Sequence, residues 1–438
     1  MRGRLVATVL LTTALVGCAA TAPAPRGAPP PSPLPTKAPL RPAAAPSSVP
    51  APLAPPSLAA AVAVRLSDAR FGGTTVGLSV WMDGYGEVVA HNADLALTPA
   101  STQKLFTAVA ALAALGPDAH LQTAVRAHGV VTDGLLHGDL VLVGGGDPSL
   151  RRAGAHSLDV LAAQVRAAGI RRVTGDLVGD ESRYDEARTA AGWFDWHVPG
   201  IIGPLSALTV DANRHRRDAD YVADPVVGNL RLFRAALAGQ GVAVDGGDVN
   251  GRAAPGGTVV ASLRSAPLAS LVADMLTRSD NLAAELLLKE VGVRRRGVGS
   301  TAAGVDAAAE ALRELGLSLR GTAADGSGLS RHDRRSPREW RKLLQAAVAQ
   351  PWGRLFMAGL PVAGRTGTLA SRFRGTRLEG TLRAKTGRIL EGRALSGYLT
   401  TAGGRGVVFS VVVNGTTPSS PVVGAIDDLV QAIAADTS

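Results

Sequence analysis

The sequence predicts an α/β fold in which one domain is interrupted by a strand-rich second domain. Three observations carry this reading. "TTVGLSVWMD" (Thr74 to Asp83) and "GEVVAHNAD" (Gly86 to Asp94) alternate apolar and polar residues about Gly84-Tyr85-Gly86, as an antiparallel hairpin does. Near the end, "GTLRAKTG" (Gly380 to Gly387), "ALSGYLTTA" (Ala394 to Ala402) and "GVVFSVVVNG" (Gly406 to Gly415) read as three strands with connections short enough for an antiparallel meander. From 121 to 256 the texture changes to short strands, Gly-rich turns and two helix candidates. The flanking parts, 58–120 and 257–438, then make one domain and 121–256 an inserted one.

The elements follow in chain order. "MRGR" (Met1 to Arg4) and the apolar run "LVATVLLTTALVG" (Leu5 to Gly17) have the charge and length of an export signal, and the run is too short to span a bilayer. Cys18, the single cysteine, comes next, in "LVGC", a stretch that resembles the bacterial lipobox, so segment 1–18 is read as a signal carrying a lipidation site. An exported chain with no second cysteine has no disulfide for it to join. The alternative is an ordinary cleaved signal using the small residues of "AATA" (Ala19 to Ala22). Residues 19–57 are rich in Ala and Pro and cannot bury a core, so they read as a stiff tether.

In the interrupted domain, Pro99 starts and Gly116-Pro117 stops a helix whose Leu105, Val109, Leu112 and Leu115 recur at helical spacing. Within the insertion, "GDLVLVGGGDPSL" (Gly138 to Leu150) is strand then turn, and "VTGDLVGDES" (Val173 to Ser182) partly echoes it. Gly144-Gly145-Gly146 lacks the spacing and lysine of a phosphate-binding loop. "GWFDWHVPG" (Gly192 to Gly200) reads as a structural turn around buried tryptophans rather than an aromatic subsite. "PLASLVADMLTRSDNLAAELLLKEVG" (Pro267 to Gly292) reads as two helices interrupted at Arg278 to Asn281, and "PVVGAIDDLVQAIAA" (Pro421 to Ala435) as a closing helix.

A net charge of +10 and a pI near 10.5 admit anionic partners. Arginine is scattered among acids, however, with no basic tail and no aromatic-basic module, so nucleic acid is not an expected partner. Only five of the 46 basic residues are lysine: Lys37, Lys104, Lys289, Lys342 and Lys385. Where a charge alone is needed arginine would serve, but its guanidinium cannot give up a proton in a protein. Lys104, three residues after Ser101, is therefore a candidate base. On a helix such a pair sits roughly 5–6 Å apart at Cβ, within reach of a lysine amine, and burial lowers an amine's pKa. A capping role would account for Ser101 but not for Lys104.

Two further stretches give that pair a context. Ser279-Asp280-Asn281 falls at the break between the two helices, and Lys385-Thr386-Gly387 at the end of a predicted strand. Ser-x-x-Lys, Ser-x-Asn and Lys-Thr-Gly in this order are the motif set of penicillin-interacting serine enzymes. The 178 residues from Ser101 to Ser279 exceed what a simple β-lactamase needs. With "PASTQKLFTAVAALAALG" (Pro99 to Gly116), "GPLSALTVDANR" (Gly203 to Arg214), "DGSGLSR" (Asp325 to Arg331) and "LPVAGRTGTLASR" (Leu360 to Arg372), the chain after residue 58 resembles the D-alanyl-D-alanine carboxypeptidase/endopeptidase family, class C low-molecular-mass penicillin-binding proteins.

That resemblance implies a β-lactamase/transpeptidase-like domain, an antiparallel sheet flanked by helices, with the strand-rich domain between the first two motifs. The spacing is shorter than in the best-known members, so the third domain they carry in the insertion is expected to be missing or reduced. It also implies a nucleophile, Ser101; a base, Lys104; a proton relay through Ser279; and Asn281 holding Lys104 and the substrate amide. Lys385, Thr386 and Gly387 would bind near the substrate carboxylate. Arg388 stands where the family has a small hydroxyl residue, with a possible part in carboxylate binding. The implied partners are peptidoglycan peptides, β-lactams as inhibitors, and the outer face of the cytoplasmic membrane through lipidated Cys18; no cofactor or metal is implied. A β-lactamase or esterase on the same core is one alternative, without any Glu-x-x-Leu-Asn stretch to position a water. A non-catalytic wall-binding scaffold is another, which would have no need of Lys104. Six arginines between 372 and 393 (Arg372, Arg374, Arg377, Arg383, Arg388, Arg393) further predict an electropositive cleft edge.

Overall fold

The computed structural model describes residues 56–214 and 224–438. The signal segment, Cys18 and almost all of the tether lie outside them. The first described helix, α1 (Pro56–Leu66), begins two residues before the expected domain start, with proline at a helix end where its missing N–H costs nothing.

β1 (Thr75–Met82) and β2 (Gly86–His91) form the expected hairpin, turned by Gly84 and Gly86, both at φ +85°. The closing strands β10 (Arg383–Ile389), β11 (Gly392–Thr400) and β12 (Gly406–Asn414) form the expected meander. The two ends of the chain meet where β12 pairs antiparallel with β1, Thr75 opposite Asn414, giving a five-stranded sheet ordered β10-β11-β12-β1-β2. Side chains then alternate between two cores. On β12, Val407, Phe409, Val411 and Val413 face α1 and the C-terminal helix Val422–Ala434, while Val408 and Val412 face the other way. That opposite core holds α2 (Gln103–Leu115) and the helix Pro337–Val348 with Trp340. Each fully buried Val or Leu in these layers stabilises by about 1.5–3 kcal/mol.

The second sheet is mixed. β3 (Gln122–Thr132) pairs antiparallel with β4 (Leu135–Val143) and with β9 (Thr258–Arg264); β5 (Arg172–Val173) and β6 (Leu177–Asp180) both run parallel to β4, and β7 (Ala243–Val244) and β8 (Asp248–Asn250) run parallel to β5 and β6 in turn. The echoed Gly-Asp-Leu stretches lie side by side in this sheet, with Leu140 opposite Leu177. α3 (Leu158–Ala167) and α4 (Pro225–Gly239) pack on it around Leu161, Leu230 and Phe233. The boundary expected at 256 falls one strand short, because β9 hydrogen-bonds to β3. Part of the insertion also leaves this core: Tyr184, Ile202, Leu205 and Ala207 pack on Leu282 and Leu286. Arg183 pairs there with Glu290, and buried Lys289 with Asp185.

After β9 come α5 (Leu268–Arg278) and α6 (Asn281–Arg296), interrupted where expected. α6 packs across α2, which brings two of the three motifs together. Among the described residues no helix is long and apolar enough to cross a membrane.

Candidate active site

Ser101 lies in a 3-10 turn, Ala100–Thr102, that leads into α2. Ala100 holds φ +51°, a left-handed conformation that costs a residue with Cβ about 1–2 kcal/mol. Two glycines make room for this turn. A Cβ on Gly387 would come within 2.7 Å of the Pro99 carbonyl oxygen, and one on Gly328 within 1.9 Å of the Ala100 carbonyl oxygen. Thr102 Oγ1 donates to the Pro99 carbonyl at 2.6 Å, so the start of the helix makes no use of the Ser101 hydroxyl.

That hydroxyl meets Lys104 instead. Lys104 is fully buried, and its Nζ lies 3.0 Å from Ser101 Oγ, 2.7 Å from Asn281 Oδ1 and 2.6 Å from the Ser327 carbonyl oxygen. A carbonyl and an amide oxygen can only accept, so they take two of the amine's hydrogens. In the neutral amine the remaining lone pair then faces Ser101 Oγ. Burial brings Lys104 down to about 8, against the opposing charges of Asp325, Glu285, Asp280 and Asp333.

The Ser-Asp-Asn stretch forms the junction of two helices, and each residue has a task there. Ser279 ends α5 at φ +58°, ψ +42°; Asp280 caps α6 by accepting from the Ala283 N–H at 3.1 Å; Asn281 is the first residue of α6. The left-handed turn sends Asn281 to Lys104 and Ser279 to Lys385, whose Nζ donates to Ser279 Oγ at 2.9 Å. Lys385 is buried on β10 and its amine lies well below the ordinary lysine range, through burial first and then the charge of Lys104.

All three motifs thus converge on one pair of buried amines. The chain matches the D-Ala-D-Ala carboxypeptidase 3 (S13) family over residues 58–223 and 219–435. It belongs to that family. It is 32% identical over 468 residues to the D-alanyl-D-alanine carboxypeptidase of Actinomadura sp. (strain R39), covering 86% of each chain. Penicillin binding protein 4 of Haemophilus influenzae has a similar fold, with TM-score 0.75 and 23% identity over 84% of this chain and 97% of that one. The same protein complexed with a β-lactam gives TM-score 0.69 and 24% identity, over 85% of this chain and 99% of that chain.

Against that S13 frame, several local expectations change. Thr386 and Arg388, two apart on β10, share a face; Thr386 Oγ1 donates to Thr368 Oγ1 at 2.7 Å, and Arg388 is exposed. Several arginines of the rich stretch are engaged within the protein. Arg372 is ion-paired with Asp427, buried Arg393 donates to the Ile389, Gly392 and Thr417 carbonyls, and Arg374 and Arg377 donate to the Ala370 and Ala434 carbonyls. The aromatic turn also differs from expectation. His197, 4% exposed, fills the space beneath it, so Trp196 is 50% exposed and stacks on Phe194 at 5.8 Å between centroids. Trp193, half-buried, donates from Nε1 to Asp325 Oδ2 at 2.7 Å.

Sequence reasoning gave no role to Ser327, Asp325, Glu285 or Thr368, although all but Glu285 lie in stretches that carry the resemblance. Asp-Gly-Ser-Gly has the composition of a tight turn, but nothing local says that its carbonyl would meet Lys104.

Proposed function

We propose that this member of the family is a serine D-alanyl-D-alanine carboxypeptidase/endopeptidase acting on peptidoglycan stem peptides through an acyl-enzyme, and that β-lactams acylate the same serine. The observation that carries this reading is the buried Lys104 amine, held by Asn281 Oδ1 and the Ser327 carbonyl with Ser101 Oγ as its remaining neighbour. Ser101 attacks the carbonyl of the penultimate D-alanine and Lys104 takes its proton. Ser279 relays a proton to the leaving amine, and Asn281 holds Lys104 and the substrate amide. The oxyanion is received by the backbone N–H groups of Ser101 and Arg388, donors that typically contribute about 10²–10³ in rate. The carboxypeptidase name of the Actinomadura relative and the β-lactam complex of the Haemophilus protein support the same chemistry.

Lys385 gives the site its preference for a free carboxylate. It is buried beside a second amine and lacks a counter-charge among its hydrogen-bond partners, which are Ser279 Oγ and the Thr386 carbonyl. A substrate carboxylate supplies that charge and restores the ammonium form. Arg388, exposed on the face of Thr386, adds a two-pronged hydrogen bond. A hydrogen bond to a charged group is worth about 1.5–3 kcal/mol, roughly ten- to a hundred-fold in kcat/KM. Lys385→Ala is expected to slow hydrolysis of a peptide ending in D-Ala-D-Ala by that factor and to slow that of its C-terminal amide far less. Arg388→Thr narrows the same acid-to-amide ratio. Equal cleavage of acid and amide by wild type, measured with purified protein beside penicillin turnover, would remove carboxylate recognition as the basis of specificity.

The enzyme works in the cell envelope, lipid-anchored through Cys18 with the Ala/Pro-rich stretch as a spacer. The basic start, apolar run and single cysteine of the leader support this reading. In fractionated cells, Cys18→Ala should release the protein from membranes or leave its precursor unprocessed. Normal processing with equal retention would instead point to a different anchor.

A further inference from the structure

The Ser327 carbonyl that touches Lys104 sits in a turn held by buried carboxylates. Glu285, on α6 one turn after Asn281, is fully buried; its Oε1 accepts from the Ser327 N–H at 2.8 Å and the Gly326 N–H at 3.1 Å, and its Oε2 accepts from Gly326 at 3.1 Å. Asp325 accepts from the Gly328 and Ser330 N–H groups at 2.7 and 2.8 Å, while Thr107 of α2 donates to the Gly326 carbonyl at 2.8 Å. The turn therefore has almost no freedom to withdraw from Lys104. Burying a carboxylate is costly, and a neutral acceptor could hold the same N–H groups. What the charge adds is an effect on its charged neighbours.

Those neighbours are Lys104 from α2, and Asp325 and Asp333 from the segment leading to the helix Pro337–Val348. Asp280 of the helix junction and Lys385 of β10 act on Lys104 in turn, and Arg335 acts on Asp333. We propose that Glu285 is a positioning residue for acylation: it holds the Ser327 carbonyl against Lys104, and its buried negative charge sets how readily that amine gives up its proton. This rests on Lys104 acting as the base. Burial and the Asp325 charge push Glu285 up, against the Ser327 and Gly326 hydrogen bonds that favour its charged form.

The experiment is the rate of penicillin acylation against pH for wild type, Glu285→Gln and Glu285→Asp, each with a melting curve. Loss of the negative charge makes the ammonium form of Lys104 less stable, so its pKa falls. The acid limb of the glutamine variant is therefore expected to move to lower pH by about one unit, the size expected for a unit charge at roughly 10 Å in an effective dielectric of about 20. The aspartate variant keeps the charge but shortens the reach; its limb should stay within about 0.3 unit of wild type while its rate falls about tenfold. A glutamine variant that loses rate with its limb unmoved would make Glu285 merely structural. If the glutamine variant does not fold, the aspartate variant decides: wild-type rates there overturn the positioning role. Absence of any acid limb in wild type would overturn the Lys104 reading and this proposal together.

Discussion

Ser101→Ala is expected to abolish the covalent adduct that a labelled penicillin forms with this protein. The serine is the hydroxyl that faces the buried amine, at 3.0 Å from Lys104 Nζ, and it sits at the end of a backbone turn held open by Gly328 and Gly387. Its replacement leaves Lys104 with Asn281 and Ser327 and removes only the attacking atom, so the variant should fold with wild-type stability. Intact-protein mass spectrometry after incubation with antibiotic reads the result directly. Wild type gains the mass of one opened β-lactam, while the alanine variant gains none. An adduct of equal stoichiometry on the variant would place the nucleophile elsewhere. Loss of D-Ala-D-Ala peptide turnover in the same variant would tie both reactions to one serine.

Lys104→Arg should be nearly as damaging as Lys104→Ala, each lowering the acylation rate by about 10²–10⁴, the usual contribution of a positioned base. Arginine preserves the charge and several donors but cannot give up a proton at any working pH. It would also bring a wider planar group to a position that has no exposed surface. Wild type carries a second signature of the same role. With Lys104 brought down to about 8 by burial, acylation should rise with pH through that value and level off above it, because only the neutral amine accepts the serine proton. Both variants should lose this rise along with the rate. Acylation of the arginine variant within a few fold of wild type would reduce Lys104 to electrostatic support.

Much of this was legible in sequence because the signals are local. The hairpin at Gly84-Tyr85-Gly86, the break at Ser279-Asp280-Asn281 and the meander at the end depend on turn residues, caps and short-range alternation. Asp280 shows why: its cap on Ala283 is three residues long and needs no other part of the chain. The aromatic turn shows the opposite. Whether Trp196 is buried depends on what else fills the space below, and His197 does so. Which arginines of the rich stretch meet an acid or turn inward was illegible for the same reason. Arg372 found Asp427, 55 residues away, and Arg393 turned inward to cap carbonyls.

The sequence by itself determined the three motifs, their order and the elements that carry them: a rare lysine one turn past a serine, a helix junction, and a strand that carries Lys-Thr-Gly. These follow from residue chemistry and spacings of a few residues. Only the tertiary structure decided that β12 would close on β1, that β9 would join β3, and that Ser327 and Glu285 would surround Lys104. Those outcomes depend on burying apolar faces separated by hundreds of residues. The same burial strips water from Lys104 and brings its amine toward the range in which it can act as a base.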